Sequence, residues 1–510
     1  MRYLFPLFLV FSCLLTLLPG CEPKENLVQT SGSLEFSADT VLFDTVFTTV
    51  RTVTKRLWVY NRNRGAVKTD VSLAGAAGST FSVLINGDAG PAVSGVTIRG
   101  NDSLLVLVRA VIGDNGQATA AKQFLVSEDL RFRTNGNEQV VKLVAYGQNA
   151  YFHRADFITT NTTWATDKPH VIINDNVVFG GETYAVGVLV LPGVTLRIPR
   201  GARIYSHAGA FLQVDGTLLV NDLSEPNPFE PTDTVKAGNA NIVRFQGDRL
   251  EPYYDDIPGQ WGGIVFSENS RNNRIRYAEI KNSTFGGLLN VGETPGPDRP
   301  SLTLDNTVIR NISGATVSFA NARASSGGGI ISLAGNLTAT NCLFTNCGEY
   351  AVLGIGGGSY DFNFCTFANY TPSFRRETSS LTFTNEDATN PLIKRPLSLS
   401  LRNSILWGSF EDELFVKNYP EYAELIIQKS LLRTKEYATT PAVIGAAGLN
   451  LINVDPLFKR VFFDTPDYTL QDASPATTPR RPAAGPVPPA DLRNLPRNPN
   501  PSLGAYEHKR

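Results

Sequence analysis

Charge is scarce in this chain of 510 residues: 18% of positions carry it, and 46 Lys plus Arg nearly balance 47 Asp plus Glu. No basic run stands out, so the electrostatic footprint of a nucleic-acid binder is missing. Histidine is rarer still. His153, His170, His207 and His508 lie far apart and form no metal spacing. No G-x-S-x-G, P-loop or H-E-x-x-H motif occurs, which removes the best-marked routes to nucleophilic, nucleotide and zinc chemistry. Of five cysteines, Cys342, Cys347 and Cys365 would remain in a mature chain. An odd number without nearby histidine points to small core residues rather than to a metal site or a disulfide framework. Helical 3.6 periodicity is hard to find. The apolar run from Tyr3 to Leu18 is too short to be a permanent membrane span.

What is present is repetition. RIRYAEIKN, SLTLDNTVIRN, NLTATNCLFTN, SYDFNFCTFAN, LSLRNSILWG and LIIQKSLLRT align on Asn282, Asn311, Asn346, Asn369, Gly408 and Thr434. Two positions earlier stand Ile280, Ile309, Phe344, Phe367, Leu406 and Leu432, all large and apolar. Four positions earlier stand Ala278, Thr307, Cys342, Cys365, Ser404 and Ser430, all small. A column that is always small implies units stacked along an axis. Each unit alternates and bends, often at a turn residue such as Asn306, Asn341 or Asn403, then resumes: two short strands around a corner. The anchors are unevenly spaced, closest between Asn346 and Asn369. That shortest gap fits one coil of a parallel β-helix, with extruded loops in the longer ones. Stacked coils about 4.8 Å apart would align equivalent side chains into ladders.

Residues 188–222, 241–248 and 261–270 extend the pattern upstream. The run resembles right-handed parallel β-helix proteins. Asp256-Ile257-Pro258-Gly259-Gln260-Trp261-Gly262-Gly263-Ile264 followed by NNRIRYAEIKN resembles the repeats of β-helix lipoproteins from Bacteroidetes-type bacteria. Residues 33–152 read separately, as short strands divided by Asn86-Gly87-Asp88, Gly100-Asn101-Asp102 and Thr134-Asn135-Gly136-Asn137. That is the pattern of a β-sandwich, and it resembles Ig-like domains of the Hydin type, which space or bind. The tail runs from Asp455-Pro456-Leu457-Phe458 through Ser474-Pro475-Ala476 and a Pro-rich stretch to Gly504-Ala505-Tyr506-Glu507. It resembles a choice-of-anchor tail, departing from that pattern at Thr477-Thr478-Pro479, and such a tail closes the last coil. The expected fold class is therefore all-β: an Ig-like sandwich over 33–152, a right-handed parallel β-helix over 153–475 and a C-terminal cap over 476–510.

Arg2, the apolar run and Leu18-Pro19-Gly20-Cys21 resemble a lipoprotein signal over 1–20, cleaved before Cys21, whose thiol is then acylated. Residues 21–32 would be the tether. Glu22, Pro23, Lys24 and Glu25 resemble a surface-export signal. These features imply a lipid anchor in the outer membrane, display at the cell surface, and a membrane partner reached through acylated Cys21.

Chemistry is harder to place. Asp255-Asp256, Arg375-Arg376-Glu377 and Glu411-Asp412-Glu413 are carboxylate groups with bases nearby, and each reads first as a solvated turn or loop. No catalytic residue is assigned, and no cofactor or metal is called for. Tyr253, Tyr254, Asp255, Asp256 and Trp261 form the one candidate ligand patch, since aromatic faces with carboxylates suit sugar rings. The alternative places Trp261 beneath the loop that carries the tyrosines. The leading expectation is a monomeric surface protein that binds glycan or a protein partner on the β-helix flank. A polysaccharide lyase or glycoside hydrolase is the second reading, and a purely structural surface protein the third.

Overall fold

The computed structural model describes residues 28–47, 52–113, 124–223, 239–290, 299–318, 324–372, 375–462, 465–477 and 483–509. The signal segment, Cys21 and most of the insertion between Asn221 and Asn241 lie outside them. The chain divides between Asn149 and Ala150 into two compact units, both built of strands.

The first unit is a sandwich of two five-stranded sheets. Among the described strands all pairings are antiparallel except one, where Thr40–Phe47 runs parallel to Asn137–Gln148. Alternation along Lys55–Asn61 and Val67–Leu73 sends Leu57, Val59, Val67 and Val71 into a shared core. Phe43 of one sheet meets Phe81 of the other at 6.0 Å. Asn86 and Asn135 sit at φ of 53° and 52°, each followed by a positive-φ glycine. Left-handed Asn-Gly pairs give the hairpin turns the twist that flanking strands need.

The second unit is a parallel β-helix. Its strands recur in strict order among three sheets: sheet one, eleven strands from Tyr151–Arg154 to Leu451–Ile452; sheet two, nine strands from Asp156–Ile158 to Leu414–Lys417; sheet three, nine strands from Thr162–Thr163 to Glu424–Gln428. The apolar column of the sequence is one unbroken register in sheet one. Ile280 pairs with Ile309, Ile309 with Phe344, Phe344 with Phe367, Phe367 with Leu406 and Leu406 with Leu432. The rings of Phe344 and Phe367 stack at 4.9 Å. The small column is buried throughout, and its hydroxyls serve the coil behind: Ser404 accepts from the Cys365 amide (3.0 Å), and Ser430 from the Ser404 amide (3.1 Å). Cys342, Cys347 and Cys365 are free, buried thiols, and burial pushes Cys347 up to about 12.

The corner from sheet three to sheet one is left-handed in coil after coil. Asn221, Asn306, Asn341 and Asn403 have φ of 50°, 46°, 54° and 51°. Asn tolerates this region because its short carboxamide bonds locally. In the later coils that carboxamide, or that of Asn363 just before the corner residue Phe364, also grips the C-terminal tail. Asn403 donates to the Ala484 carbonyl (2.8 Å), Asn363 to Pro486 (2.8 Å), Asn341 to Ala490 (2.7 Å) and Asn306 to Asp491 (2.8 Å). The tail thus runs back along the helix axis toward earlier coils. A proline-rich strip is rich in carbonyls and poor in N–H groups, so a column of carboxamide donors matches it. Arg497 enters the same seam, bonding Asn341 Oδ1 (2.6 Å) and lying 4.2 Å over the Phe364 ring.

Beneath the tail, Val308, Leu343, Ile405, Trp407 and Leu431 face outward from sheet one and pack against Phe458, Tyr468, Leu470, Leu492, Leu503 and Tyr506. The pairs Val308-Ile309, Leu343-Phe344, Ile405-Leu406 and Leu431-Leu432 are the sequence signal of strands buried on both faces. The expectation that the Pro-rich tail closes the last coil is corrected here. That end is filled by Tyr437 and Val443, the latter on the helical turn Pro441–Ile444, which join the interior core. The tail covers the flank because its carbonyls find donors there.

Replacing Asn341 by Gly keeps the left-handed corner and removes the carboxamide. It should lower stability by about 1–3 kcal/mol, since the Ala490 carbonyl and the Arg497 guanidinium each lose a buried partner. Urea unfolding would register this as a lower midpoint at unchanged slope.

Candidate functional site

The sequence-derived patch separates into an outside and an inside. Trp261 is 1% exposed, belongs to the interior core and donates Nε1–H to the Lys281 carbonyl at 2.9 Å. Its faces are covered by protein and cannot stack on a ligand. Tyr253 is 75% exposed and meets Tyr254 edge-on at 5.0 Å, while Arg249 lies 3.9 Å above the Tyr254 ring. The Asp256 carboxylate and the Asp255 backbone hold the loop. Asp256 takes Arg310 (2.5 Å) and Asn311 (2.8 Å), and the Asp255 carbonyl takes Lys281 (3.1 Å) and Asn282 (2.9 Å). Under this loop Glu279 is buried between Arg244 (3.0 Å) and Arg310 (2.6 Å). Burial alone would push the Glu279 carboxyl up, but Arg310, Lys281 and Arg244 outweigh it and hold it below the usual range. Burial, with Arg310 nearby, lowers Lys281. The group is a charged fastening of a loop onto sheet one.

The two loop clusters are not uniformly solvated either, contrary to expectation. Arg376 and Glu413 form a salt bridge with both side chains 0% exposed. One guanidinium nitrogen reaches both carboxylate oxygens, at 2.6 and 2.8 Å. The Ser380 hydroxyl (2.5 Å) and the Phe410 amide (3.0 Å) complete the shell of Glu413. A side chain at Gly408 would run into Glu413 Oε1 and the Asn369 carbonyl, which explains why glycine stands where earlier coils have asparagine. Asp412 accepts the amides of Lys435 (2.5 Å) and Glu436 (2.6 Å) and fixes the turn after sheet one. Arg375, Glu377 and Glu411 do face solvent.

Sequence reasoning missed a cleft of about 760 Å³ between the last coils and the tail. Its apolar wall is Tyr370, Trp407, Phe458 and Phe462; its polar rim includes Glu411, Arg433, Lys435, Asp455 and Gln471. Trp407 and Arg433 come from the last coils of sheet one, and Phe458 from the strand Phe458–Arg460, which pairs with Asp467–Leu470 in the tail. Tyr370 meets Phe462 edge-on at 5.9 Å, and Phe462 remains 53% exposed. Arg433 lies 5.2 Å from the Trp407 ring and donates to the Gly408 carbonyl. Lys435 pairs with Glu411 at 3.2 Å. Burial, then the nearby Asp455, raises the Tyr370 phenol, so its hydroxyl stays protonated. An aromatic wall facing both acceptors and donors can hold a polyhydroxylated ring by its apolar face and its edges. The cleft joins residues from Tyr370 to Gln471, and no repeat column marks them.

Among the described residues, no group of three or more His, Cys, Asp or Glu is placed to hold a metal ion. No family model and no curated protein matches the chain. Among solved structures it is similar to a family 123 glycoside hydrolase from Clostridium perfringens, at 9% identity and a TM-score of 0.18, over 24% of this chain and 30% of that one. It is also similar to an ASH/PapD-like domain of human CEP192, at 11% identity and a TM-score of 0.16, over 24% of this chain and 87% of that one. Likenesses this slight carry no argument about function, and the chain spans under a third of the hydrolase's length.

Glu413→Gln should strand Arg376 as an unpaired buried charge and cost about 3–5 kcal/mol. Thermal unfolding would show the loss, and Glu411→Gln, at the exposed neighbour, should change stability by less than about 0.5 kcal/mol.

Proposed function

We propose that this chain is a bacterial outer-membrane lipoprotein, anchored through acylated Cys21 and displayed at the cell surface, whose β-helix binds glycan in the cleft beside its C-terminal tail. The observation that carries the reading is the cleft itself. Tyr370, Trp407, Phe458 and Phe462 line it, with Glu411, Asp455, Arg433 and Lys435 around them. Sugar rings ask for this combination of apolar faces and edge-on hydrogen bonds. The rigid stack of coils holds these side chains without needing to move. The anchor rests on the N-terminal pattern: a short apolar run ending at Leu18-Pro19-Gly20-Cys21 and followed by a charged tether. The sandwich of the first unit serves as a spacer in the chain between that anchor and the β-helix.

The test is a panel of soluble polysaccharides offered to the protein from residue 22 onward, with binding and product formation read together. Retention of a glycan without products is expected. Phe462→Ala and Arg433→Ala should each weaken it by roughly tenfold while thermal unfolding stays near the parent's. New reducing ends or unsaturated products would replace the binding reading with a lyase or hydrolase. No retention of any glycan would leave a structural surface protein. In cells, Cys21→Ala should abolish fatty-acid labelling; labelling that persists in this variant sinks the anchor.

A further inference from the structure

The first coil of the β-helix contains a chain of titratable groups that the cleft does not use. Asp156 Oδ2 lies 2.6 Å from His153 Nδ1, His153 Nε2 lies 2.8 Å from His170 Nδ1, and His170 Nε2 lies 2.8 Å from the Ala165 carbonyl. His153 and His170 are both buried. The Trp164 ring stacks on both imidazoles, at 4.5 and 4.3 Å. Tyr151 stacks on His170 at 5.1 Å. Other charged groups facing the pair come from the turn before His170. Asp167 takes the Tyr151 hydroxyl (3.1 Å), and Lys168 lies 5.3 Å over the Tyr151 ring. Arg154 follows His153 on the same strand.

Counting hydrogens along this line is decisive. A carbonyl only accepts, so His170 Nε2 carries a proton, and a neutral His170 then accepts at Nδ1. His153 must donate to it from Nε2. The Nδ1 of His153 then faces a carboxylate, and that contact also needs a proton. Two neutral imidazoles and an ionised carboxylate are one proton short of three hydrogen bonds. Burial lowers His170 to about 4, which keeps that ring neutral and fixes it as the acceptor. Burial outweighs the pull of Asp156 and lowers His153 as well. The 2.6 Å contact opposes that direction, because without the proton two lone pairs would face each other at hydrogen-bond distance, His153 being buried and Asp156 partly exposed.

We propose that the first coil holds one proton shared between Asp156 and His153, and that losing it loosens the coil, making the start of the β-helix a pH-sensitive switch. The group binds a proton when folded that an unfolded histidine releases above about pH 6.5. Its stabilisation is therefore full in mild acid and lost as pH rises. Asp156→Asn separates this from a merely structural role. The carboxamide that this substitution introduces donates to a bare Nδ1, so all three bonds form between neutral groups and the extra proton is no longer needed.

His207 also titrates, raised by its hydrogen bond to Asp248 at 2.6 Å, so both proteins are compared in an Asp248→Asn background. Between pH 6.5 and 9 the unfolding equilibrium constant of the Asp156 protein, divided by that of Asp156→Asn, should rise by up to about tenfold per pH unit, because His170 and the buried thiols contribute equally to both proteins. Parallel profiles would overturn the proposal. Should Asp156→Asn fail to fold, proton release decides it. Unfolding the Asp156 protein at about pH 7.5, where thiols freed from burial stay largely protonated, should free about one proton, and release of almost none overturns the shared proton.

Discussion

One corner recurs down the β-helix, and the coils depend on it. From Asn221 onward, the step from sheet three to sheet one holds an L-residue at positive φ, most often asparagine, and one coil earlier Gly201 takes that conformation. The turn brings the next strand into register above the last, so that Ile309 lies over Ile280 and Phe367 over Phe344. Register in turn makes the neighbouring column small, because Cys342, Cys365 and Ser404 sit where the chain bends inward and no volume is left. The same carboxamides reach outward and bind the tail, so one residue type shapes the coil and chooses what covers it. Where Phe364 or Lys429 takes the corner instead, the neighbouring Asn363 and Asn450 supply the carboxamide bonds.

Covering a flank changes what it can do. The outer face of sheet one is apolar where the tail lies and charged where the loop of residues 251–259 lies, and both stretches are occupied by the chain's own segments. Charges there are spent on attachment: Glu279 and Arg310 under one loop, Arg376 and Glu413 between two others. Buried pairs of this kind add little net stability but are costly to break, because the surviving partner stays desolvated. Open surface remains where the covering is incomplete. The cleft at the last coils is one such place, where Phe462 and part of Tyr370 stay uncovered beside the buried rings of Trp407 and Phe458.

Some of this was written plainly in the chain. The six aligned segments carry the sheet-one ladder and its corner because stacking is periodic, and a periodic constraint leaves a periodic trace. The third strand of each coil, in sheet two, escaped the alignment because loops of uneven length precede it, as between Asn369 and Leu381. Asn-Gly turns of the sandwich were legible for a local reason: two successive left-handed residues need that pair. Trp261 was ambiguous, since an aromatic residue beside a loop looks the same in sequence whether it faces in or out.

The sequence by itself determined an all-β chain, its stacked coils, the inward columns and the bends at asparagine, since each follows from contacts between neighbours in the chain or between equivalent positions one coil apart. Only the tertiary structure decided that Pro486 and Ala490 lie along Asn363 and Asn341, that Arg376 meets Glu413 out of water, that Asp156, His153 and His170 share a line of hydrogen bonds, and that Tyr370 and Phe462 border one cleft. Those pairings join segments at irregular separations through loops whose paths depend on the finished surface. No local preference or repeat encodes them; shape and the need to satisfy buried polar groups select them once the coils have stacked.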